Sequence, residues 1–151
     1  MGVYVTRNKD TYKHGQMELN DNIAYDNGIN GLVYHRTDRG FVQRNKIYDN
    51  GVVPLNLTTE VKHDWHVKLG KGRQPYSGLV INNATGIRLW SNIVKARDEN
   101  DFAYNMISGG SITNGGNNAV CEGIVSQRLQ NWRNNQGNSL FRTDTSVCVF
   151  P

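Results

Sequence analysis

Repetition of one segment restricts the fold of this chain more than any other feature. Residues 31–45 open with Gly-Leu-Val and close with Asn, and residues 78–92 do the same. A third, fainter copy begins at Gly137, and its Arg142-Thr143-Asp144 repeats the Arg-Thr-Asp of the first copy. A repeat unit that cannot bury its own apolar face has to stack on a copy of itself. The pattern therefore predicts a solenoid.

The length of one coil follows from a second repeated phrase. Tyr-Asp-Asn-Gly ends residues 22–28 and recurs 23 residues later, at the end of residues 45–51. A period in the low twenties with alternating apolar positions is typical of a parallel β-solenoid, in which each coil consists of three short strands joined by turns. A leucine-rich repeat has a similar period, but its fixed Leu spacing is absent here.

Aligning the copies predicts which apolar side chains stack in the core. Leu32 is expected to lie on Leu79, and Val42 on Leu89 and Cys148, each alternating with more polar neighbours as in a strand with one buried face.

Asparagine forms a further column in the same alignment. Asn22, Asn45 and Asn92 fall at the same bend, where stacked amide side chains can hydrogen-bond along the solenoid axis and to the turn backbone. The composition supports many such bends, because the chain has 20 Asn and 16 Gly but only 3 Pro. Asn and Gly accept positive φ at little cost, so the chain is not expected to be helical.

The repeats are interrupted between Gly51 and Gly78. The additional residues could form one divergent coil, but apolar and polar residues alternate strictly from Leu55 to Leu69. Such alternation favours a hairpin-like insertion at residues 52–77. We therefore predict one all-β domain over residues 1–151, a right-handed parallel β-helix of about five to six coils. Because neither end offers a capping element, we expect a longer parent solenoid or other chains to cover the ends.

The phrase Asn-x-x-Tyr-Asp-Asn-Gly, followed by Gly-Leu-Val and a closing Asn, resembles right-handed parallel β-helix proteins of the pectin-lyase-like superfamily. That group includes polysaccharide lyases, alginate epimerases, glycoside hydrolases and non-enzymatic members. The resemblance implies an acidic polysaccharide partner, calcium as a cofactor that some members use, and an extracellular or secreted location. The Asp-Pro-His signature of alginate epimerases and glycine-rich calcium nonapeptides are absent from this sequence.

The densest group of chemically active residues lies in the predicted insertion. If that run is a strand, Lys62, Asp64 and His66 share one face and supply positive charge, an acid and a base, as polysaccharide lyase-like catalysis would need. The alternative is an ordinary exposed polar face. Two metal-ligand types at i and i+2 are too few to indicate a metal site, so none is predicted.

Arginines and aromatic residues are the candidates for substrate binding. Aromatic rings pack against the apolar faces of pyranose rings, and guanidinium groups pair with uronate carboxylates. The alternative for the arginines is a role in rim ion pairs and turns. The predicted binding residues are Arg36, Arg73, Tyr76, Arg88 and Trp90.

Charge and cysteine content narrow the function classes. The formal net charge of +4 and the pI near 9.2 favour anionic partners. The basic residues are not clustered with aromatics, so no nucleic-acid partner is predicted, and no segment is apolar enough for a membrane span. Cys121 and Cys148 could form a disulfide or remain two buried thiols.

Two functions remain open at this stage. The first is a carbohydrate-associated module that binds acidic polysaccharide and could cleave or epimerise it. The second is a non-catalytic structural or assembly solenoid of an extracellular or fibre-like complex.

Overall fold

The computed structural model describes residues 2–6, 17–28, 30–51, 77–97, 102–107, 111–121 and 139–151. These residues form an all-β parallel β-helix, with one short 3₁₀ helix at Thr145–Val147. The strands are β1 (Val3–Thr6), β2 (Glu18–Asn20), β3 (Ile23–Tyr25), β4 (Leu32–His35), β5 (Phe41–Gln43), β6 (Lys46–Asn50), β7 (Ser77–Asn82), β8 (Ile87–Trp90), β9 (Ile93–Ala96), β10 (Phe102–Ile107), β11 (Ile112–Gly116), β12 (Asn118–Val120) and β13 (Phe141–Thr143).

Three parallel sheets run along the solenoid. Sheet A has the order β1-β4-β7-β10, sheet B β2-β5-β8-β11, and sheet C β3-β6-β9-β12-β13. Each coil adds one strand to each sheet in chain order, so β1–β3 form coil 1, β4–β6 coil 2, β7–β9 coil 3 and β10–β12 coil 4. The strand β13 adds a fifth strand to sheet C. The predicted parallel β-helix is confirmed.

The described coils number between four and five, fewer than the five to six expected from the sequence. One reason is that the later coils are longer than the 23-residue period of the first two. Leu79 pairs with Tyr104, 25 residues further on, and Trp90 pairs with Gly116, 26 residues further on. A period taken from the first coils therefore overestimates how many coils the chain can form.

The predicted stacking of coils 2 and 3 is confirmed in detail. Leu32 pairs with Leu79, and Val42 pairs with Leu89. The strands β4 and β7 are direct neighbours, as are β6 and β9, so no further coil lies between coils 2 and 3. Residues 52–76, which include most of the predicted insertion, lie outside the described residues.

The predicted third copy of the repeat is wrong. Arg142 pairs with Ala119 in sheet C, whereas Arg36 directly follows a strand of sheet A. Cys148 consequently does not stack on Val42; it follows the 3₁₀ helix after β13. Three strands of similar apolar pattern occur in each coil, and local similarity does not reveal to which sheet a strand belongs.

The core fills the space between the three sheets. Alternate residues of the strands point inward, and several of them have no exposed surface. The other face of sheet A is also buried at Val33 and Val80. The largest fully buried inward side chains are Leu32, Tyr34, Val42, Ile47, Leu79, Ile81, Ile87, Leu89, Val94 and Leu140.

The corner between sheets B and C has the same construction in every coil. One residue adopts a positive φ of 52–59°, at Asp21, Arg44, Ser91 and Asn117. This left-handed conformation turns the chain sharply and is unfavourable for most side chains. The corner therefore needs compensating interactions, and the next residue of each coil provides them.

That next residue is always asparagine, and the side chains form a hydrogen-bonded ladder. Asn22 Nδ2 donates to Asn45 Oδ1 at 2.9 Å, Asn45 to Asn92 at 2.9 Å, and Asn92 to Asn118 at 2.9 Å. Backbone N–H groups at Asn22, Asn45 and Asn92 donate to the same oxygens. The predicted asparagine column is confirmed and extends one coil further, to Asn118.

A second ladder lies at the corner between sheets C and A. Asn27 donates to Asn50 Oδ1 from its side chain at 2.8 Å and from its backbone at 3.1 Å. Asn50 in turn donates to the carbonyl oxygen of Ala24 at 2.9 Å. Two corners of coils 1 and 2 are therefore fixed by buried or partly buried amides, which satisfy backbone groups that the turns would otherwise leave unpaired.

Candidate functional site

The outer face of sheet B combines aromatic, polar and cationic side chains. Because strand side chains alternate, the neighbours of the inward residues Val42 and Leu89 point to solvent. The resulting surface, called here the sheet B face, has two columns that run along the solenoid axis. The first is Glu18, Phe41, Arg88 and Asn114, and the second is Asn20, Gln43, Trp90 and Gly116.

Arg88 is held in place on this face by the ring of Phe41 in the preceding coil. The guanidinium carbon lies 4.6 Å from the centroid of that ring, which is cation–π geometry. Stacking uses the flat face of the guanidinium and leaves the N–H donors in its plane available. Arg88 makes no ion pair with the described residues. A planar anion can therefore reach oriented donors on Arg88.

Trp90 lies two residues after Arg88 and points to the same side of sheet B. A Cβ placed on Gly116 would be 2.9 Å from Cζ3 of Trp90, so the indole lies close over the Gly116 backbone of the next coil. The side chain remains 36% exposed, as its position in the strand predicts. Glycine at 116 leaves room for the ring to lie along the solenoid axis.

An ion pair marks the edge of the sheet B face at the corner with sheet C. Arg44 donates from Nε and NH2 to the two carboxylate oxygens of Asp21, at 2.7 and 2.8 Å. These hydrogen bonds lower the pKa of Asp21 and raise that of Arg44. Arg44 also donates to Gln43 Oε1 at 3.2 Å. Its charge is therefore already matched within the protein, unlike that of Arg88.

Arg36 lies apart from the sheet B face, at the corner that follows β4. It has a φ of 47°, and its backbone N–H donates to the carbonyl oxygen of Asn82 at 3.0 Å. In the same corner, Asp38 Oδ1 accepts hydrogen bonds from the backbone N–H of Thr85 at 2.9 Å and from its hydroxyl at 2.8 Å. The Arg-Thr-Asp motif thus joins coils 2 and 3, which agrees with the turn interpretation of these residues.

Of the predicted site residues, only Arg88 and Trp90 are brought together. The predicted catalytic group Lys62, Asp64 and His66 lies outside the described residues, as do Arg73 and Tyr76, so their roles stay predictions. Within the described ranges, no group of three or more His, Cys, Asp or Glu side chains is placed to hold a metal ion. In the same part of the chain, no helix has the length and apolarity needed to cross a membrane.

The last eight residues form a feature that the sequence alone leaves undecided. Residues 144–151, called here the strap, follow β13 and run back over the outer face of sheet C. Cys148 forms a disulfide with Cys121, beside β12. The Phe150 ring then stacks on Tyr48 of β6, with centroids 4.3 Å apart. The strap therefore reaches from the end of the described solenoid back to coil 2.

An aromatic column lies beneath the end of the strap. Tyr48 is only 4% exposed, and its ring is parallel to that of Tyr25 at a centroid distance of 5.2 Å. Burial raises the pKa of Tyr48. Lys46 Nζ donates to the carbonyl oxygen of Val149 at 3.4 Å. The recurrence of Tyr at the same place in the 23-residue phrase was the sequence signal for this column.

The start of the strap is ordered by its own side chains. Asp144 precedes the 3₁₀ helix, and its Oδ1 accepts hydrogen bonds from the hydroxyl of Ser146 and from its backbone N–H at 3.0 Å. Arg142 donates to the other carboxylate oxygen at 3.2 Å. The hydrogen bonds from Ser146, assisted by Arg142, lower the pKa of Asp144.

Comparisons of the chain with protein-family models, with curated proteins and with solved structures return no match.

Proposed function

We propose that this protein is a carbohydrate-binding β-helix module that holds an acidic polysaccharide on the sheet B face. The observation that supports this most is the position of Arg88, stacked on Phe41 and two residues from the exposed Trp90. An indole face offers a stacking surface for a pyranose ring. The oriented guanidinium offers paired donors for the carboxylate of a uronic acid.

The geometry of the sheet suits an extended ligand. Neighbouring strands are about 4.8 Å apart, which is comparable with the length of one sugar residue. A polysaccharide lying along the solenoid axis would meet one coil for each sugar. Arg88 and Trp90 would contact the sugars at coil 3, and the polar Gln43 and Asn114 would contact those at coils 2 and 4.

Membership in the pectin-lyase-like superfamily is part of the proposal. The repeated phrase and the parallel β-helix support it. Under this reading, Lys62, Asp64 and His66 would supply any lyase-like or epimerase-like chemistry, and Arg73 and Tyr76 further substrate contacts, with calcium as an additional ligand of the uronate. The disulfide Cys121–Cys148 supports an extracellular or secreted location, because disulfides persist in oxidising compartments.

Isothermal titration with alginate, pectate and chondroitin tests the proposal, with a neutral glucan as the control ligand. We expect saturable binding to at least one uronate-containing polymer and weaker binding to the glucan. Absorbance of the unsaturated product during the same incubations reports lyase activity. Absence of binding to all three uronans, with and without calcium, would contradict the proposal.

A structural or assembly solenoid is the second candidate. Ile23 and Tyr25 support it, because they lie on the outer face of coil 1 and remain 53% and 52% exposed. Large apolar residues exposed side by side are common at interfaces between chains. Sedimentation over a range of concentrations tests this candidate, which requires association that Ile23→Lys weakens. A monomer at every concentration would argue against it.

A further inference from the structure

We propose that the strap is a redox-controlled cover of the aromatic column, released when a dithiol reduces the disulfide Cys121–Cys148. In the oxidised protein the strap places Phe150 on Tyr48. In the reduced protein we expect residues 145–151 to leave sheet C while the four coils stay folded. This inference does not depend on polysaccharide binding, because it concerns a different face of the solenoid.

The noncovalent attachment of the strap is slight. The last backbone hydrogen bond to sheet C joins the N–H of Asp144 to the carbonyl oxygen of Val120 at 3.3 Å. Beyond it, the backbone hydrogen bonds of the described strap residues are internal, such as Cys148 to Thr145 at 3.2 Å. Contacts with sheet C are then the disulfide, the Phe150 stack and the long hydrogen bond from Lys46.

The disulfide is what makes so few contacts sufficient. Cys148 is two residues before Phe150, so the bond to Cys121 confines that ring to the neighbourhood of coil 2. Without the bond, ordering each strap residue costs backbone entropy that one ring stack and one hydrogen bond do not offset. The strap is thus expected to detach once the covalent link is removed.

The redox step involves a simple exchange. One thiolate of the dithiol attacks a sulfur of the protein disulfide and forms a mixed disulfide, and its second thiol then displaces the protein sulfur. Two electrons pass to the protein, Cys121 and Cys148 each end as a protonated thiol, and the dithiol becomes a cyclic disulfide. Both cysteines are partly exposed, so a small dithiol can reach them.

The coils do not depend on the strap for their own pairing. The core strands of coils 2 and 3 pair through sheets A, B and C, and the inward residues Val42, Ile47 and Leu89 are fully buried beneath them. Tyr48 lies on the opposite side of β6 from Ile47, so uncovering it leaves the core closed. Reduction is therefore expected to change one face of the protein only.

Nuclear magnetic resonance of the full chain tests the inference, with dithiothreitol as the dithiol. We expect cross-relaxation signals between the Phe150 and Tyr48 rings in the oxidised protein, and their loss after reduction. The amide shifts of Val42, Ile47 and Leu89 should stay unchanged. Ring signals that persist after reduction would overturn the inference, and so would collapse of the core shifts, which would make the disulfide a staple of the whole fold.

A matched variant separates the bond from side effects of the reductant. The double variant Cys121→Ser with Cys148→Ser should show the reduced pattern without dithiothreitol and should not respond to it. Failure of this variant to fold would count against a local switch. Retention of the Phe150–Tyr48 signals in a folded double variant would also contradict it.

Discussion

The side-chain nitrogen of Asn45 lies 2.9 Å from the side-chain oxygen of Asn92, although 47 residues separate the two along the chain. Both side chains are fully buried. The backbone N–H of Asn45 donates to the same oxygen at 3.1 Å, and Asn45 Nδ2 also donates to the carbonyl oxygen of Leu19 at 2.8 Å. One amide therefore joins three successive coils, and it specifies their alignment as well as their stability.

Replacing Asn92 with alanine should destabilise the protein strongly. The substitution leaves the backbone N–H of Asn45 and the carbonyl oxygen of Val42 without these buried partners. Unsatisfied buried polar groups cost on the order of 1–3 kcal/mol each, so we expect a loss of about 3 kcal/mol or more. Urea unfolding measures it. Asn114→Ala on the exposed outer face is the control, and a similar loss in both variants would contradict the ladder's role.

The sequence was sufficient to predict the ladder through Asn92 because its first members share one repeat phrase. Asn118 was missed because it follows Asn92 by 26 residues, and a column search at the 23-residue period passes over it. The second ladder, Asn27 to Asn50, was visible as a repeat. Its buried hydrogen bonds were not, since periodicity shows that positions are equivalent and does not show in which direction a turn side chain points.

The site was predictable to a smaller extent. Alternation in β8 correctly placed Trp90 on the outside, and Arg88 shares that parity. The stacking of Arg88 on Phe41 was not predicted, because contacts between coils depend on the register of β5 against β8. The disulfide stayed undecided because pairing of Cys121 with Cys148 depends on the path of the strap after β13, which has no repeat counterpart.

Adding a methyl group at Gly40 should disrupt the corner between sheets A and B. A Cβ there would overlap the Tyr34 hydroxyl and lie 2.9 Å from the carbonyl oxygen of Met17, which that hydroxyl contacts at 3.2 Å. Overpacking in a filled core costs about 1–3 kcal/mol, and Gly40→Ala should reach the upper end of that range. Urea unfolding gives the value.

A double-mutant cycle shows whether Tyr34 is the cause. In a Tyr34→Leu background the overlapping ring is absent, so Gly40→Ala should cost much less than it does in the wild type. Equal costs in the two backgrounds would show that the strain arises elsewhere in the corner.

Substitutions on the sheet B face should weaken binding of the uronan found by titration. Arg88→Gln removes the stacked cation, and Trp90→Ala removes the exposed ring. Each is expected to raise the Kd about tenfold, because loss of a charge-assisted pair or of a stacking surface costs about 1–2 kcal/mol. Circular dichroism confirms that each variant is folded.

Arg97→Gln is the matched control for charge. Arg97 is also exposed, but its guanidinium binds Asp26 at 3.0 Å, at the corner between sheets C and A. This variant should bind like the wild type at constant ionic strength. A Kd that rises equally in Arg88→Gln and Arg97→Gln would indicate non-specific attraction to the basic protein and would contradict a site at Arg88.

Stability should fall at alkaline pH because Tyr104 is buried as the neutral phenol. It is 2% exposed, its ring is stacked on Phe141 at 4.0 Å, and burial raises its pKa to about 12. In the unfolded chain a tyrosine loses its proton near pH 10. Between these values the folded state binds more protons than the unfolded state, so stability declines as the pH rises, by about 3 kcal/mol at pH 12. Burial shifts the pKa of Tyr34 in the same direction.

Urea unfolding from pH 9 to pH 12 measures this decline, and Tyr104→Phe isolates the contribution of one residue. The variant keeps the ring but cannot ionise, so its stability should fall less steeply over this range, whatever its stability at pH 9. Tyr4→Phe, at an exposed position in sheet A, should keep the slope of the wild type. An unchanged slope in Tyr104→Phe would show that ionisation of this buried phenol does not drive alkaline unfolding.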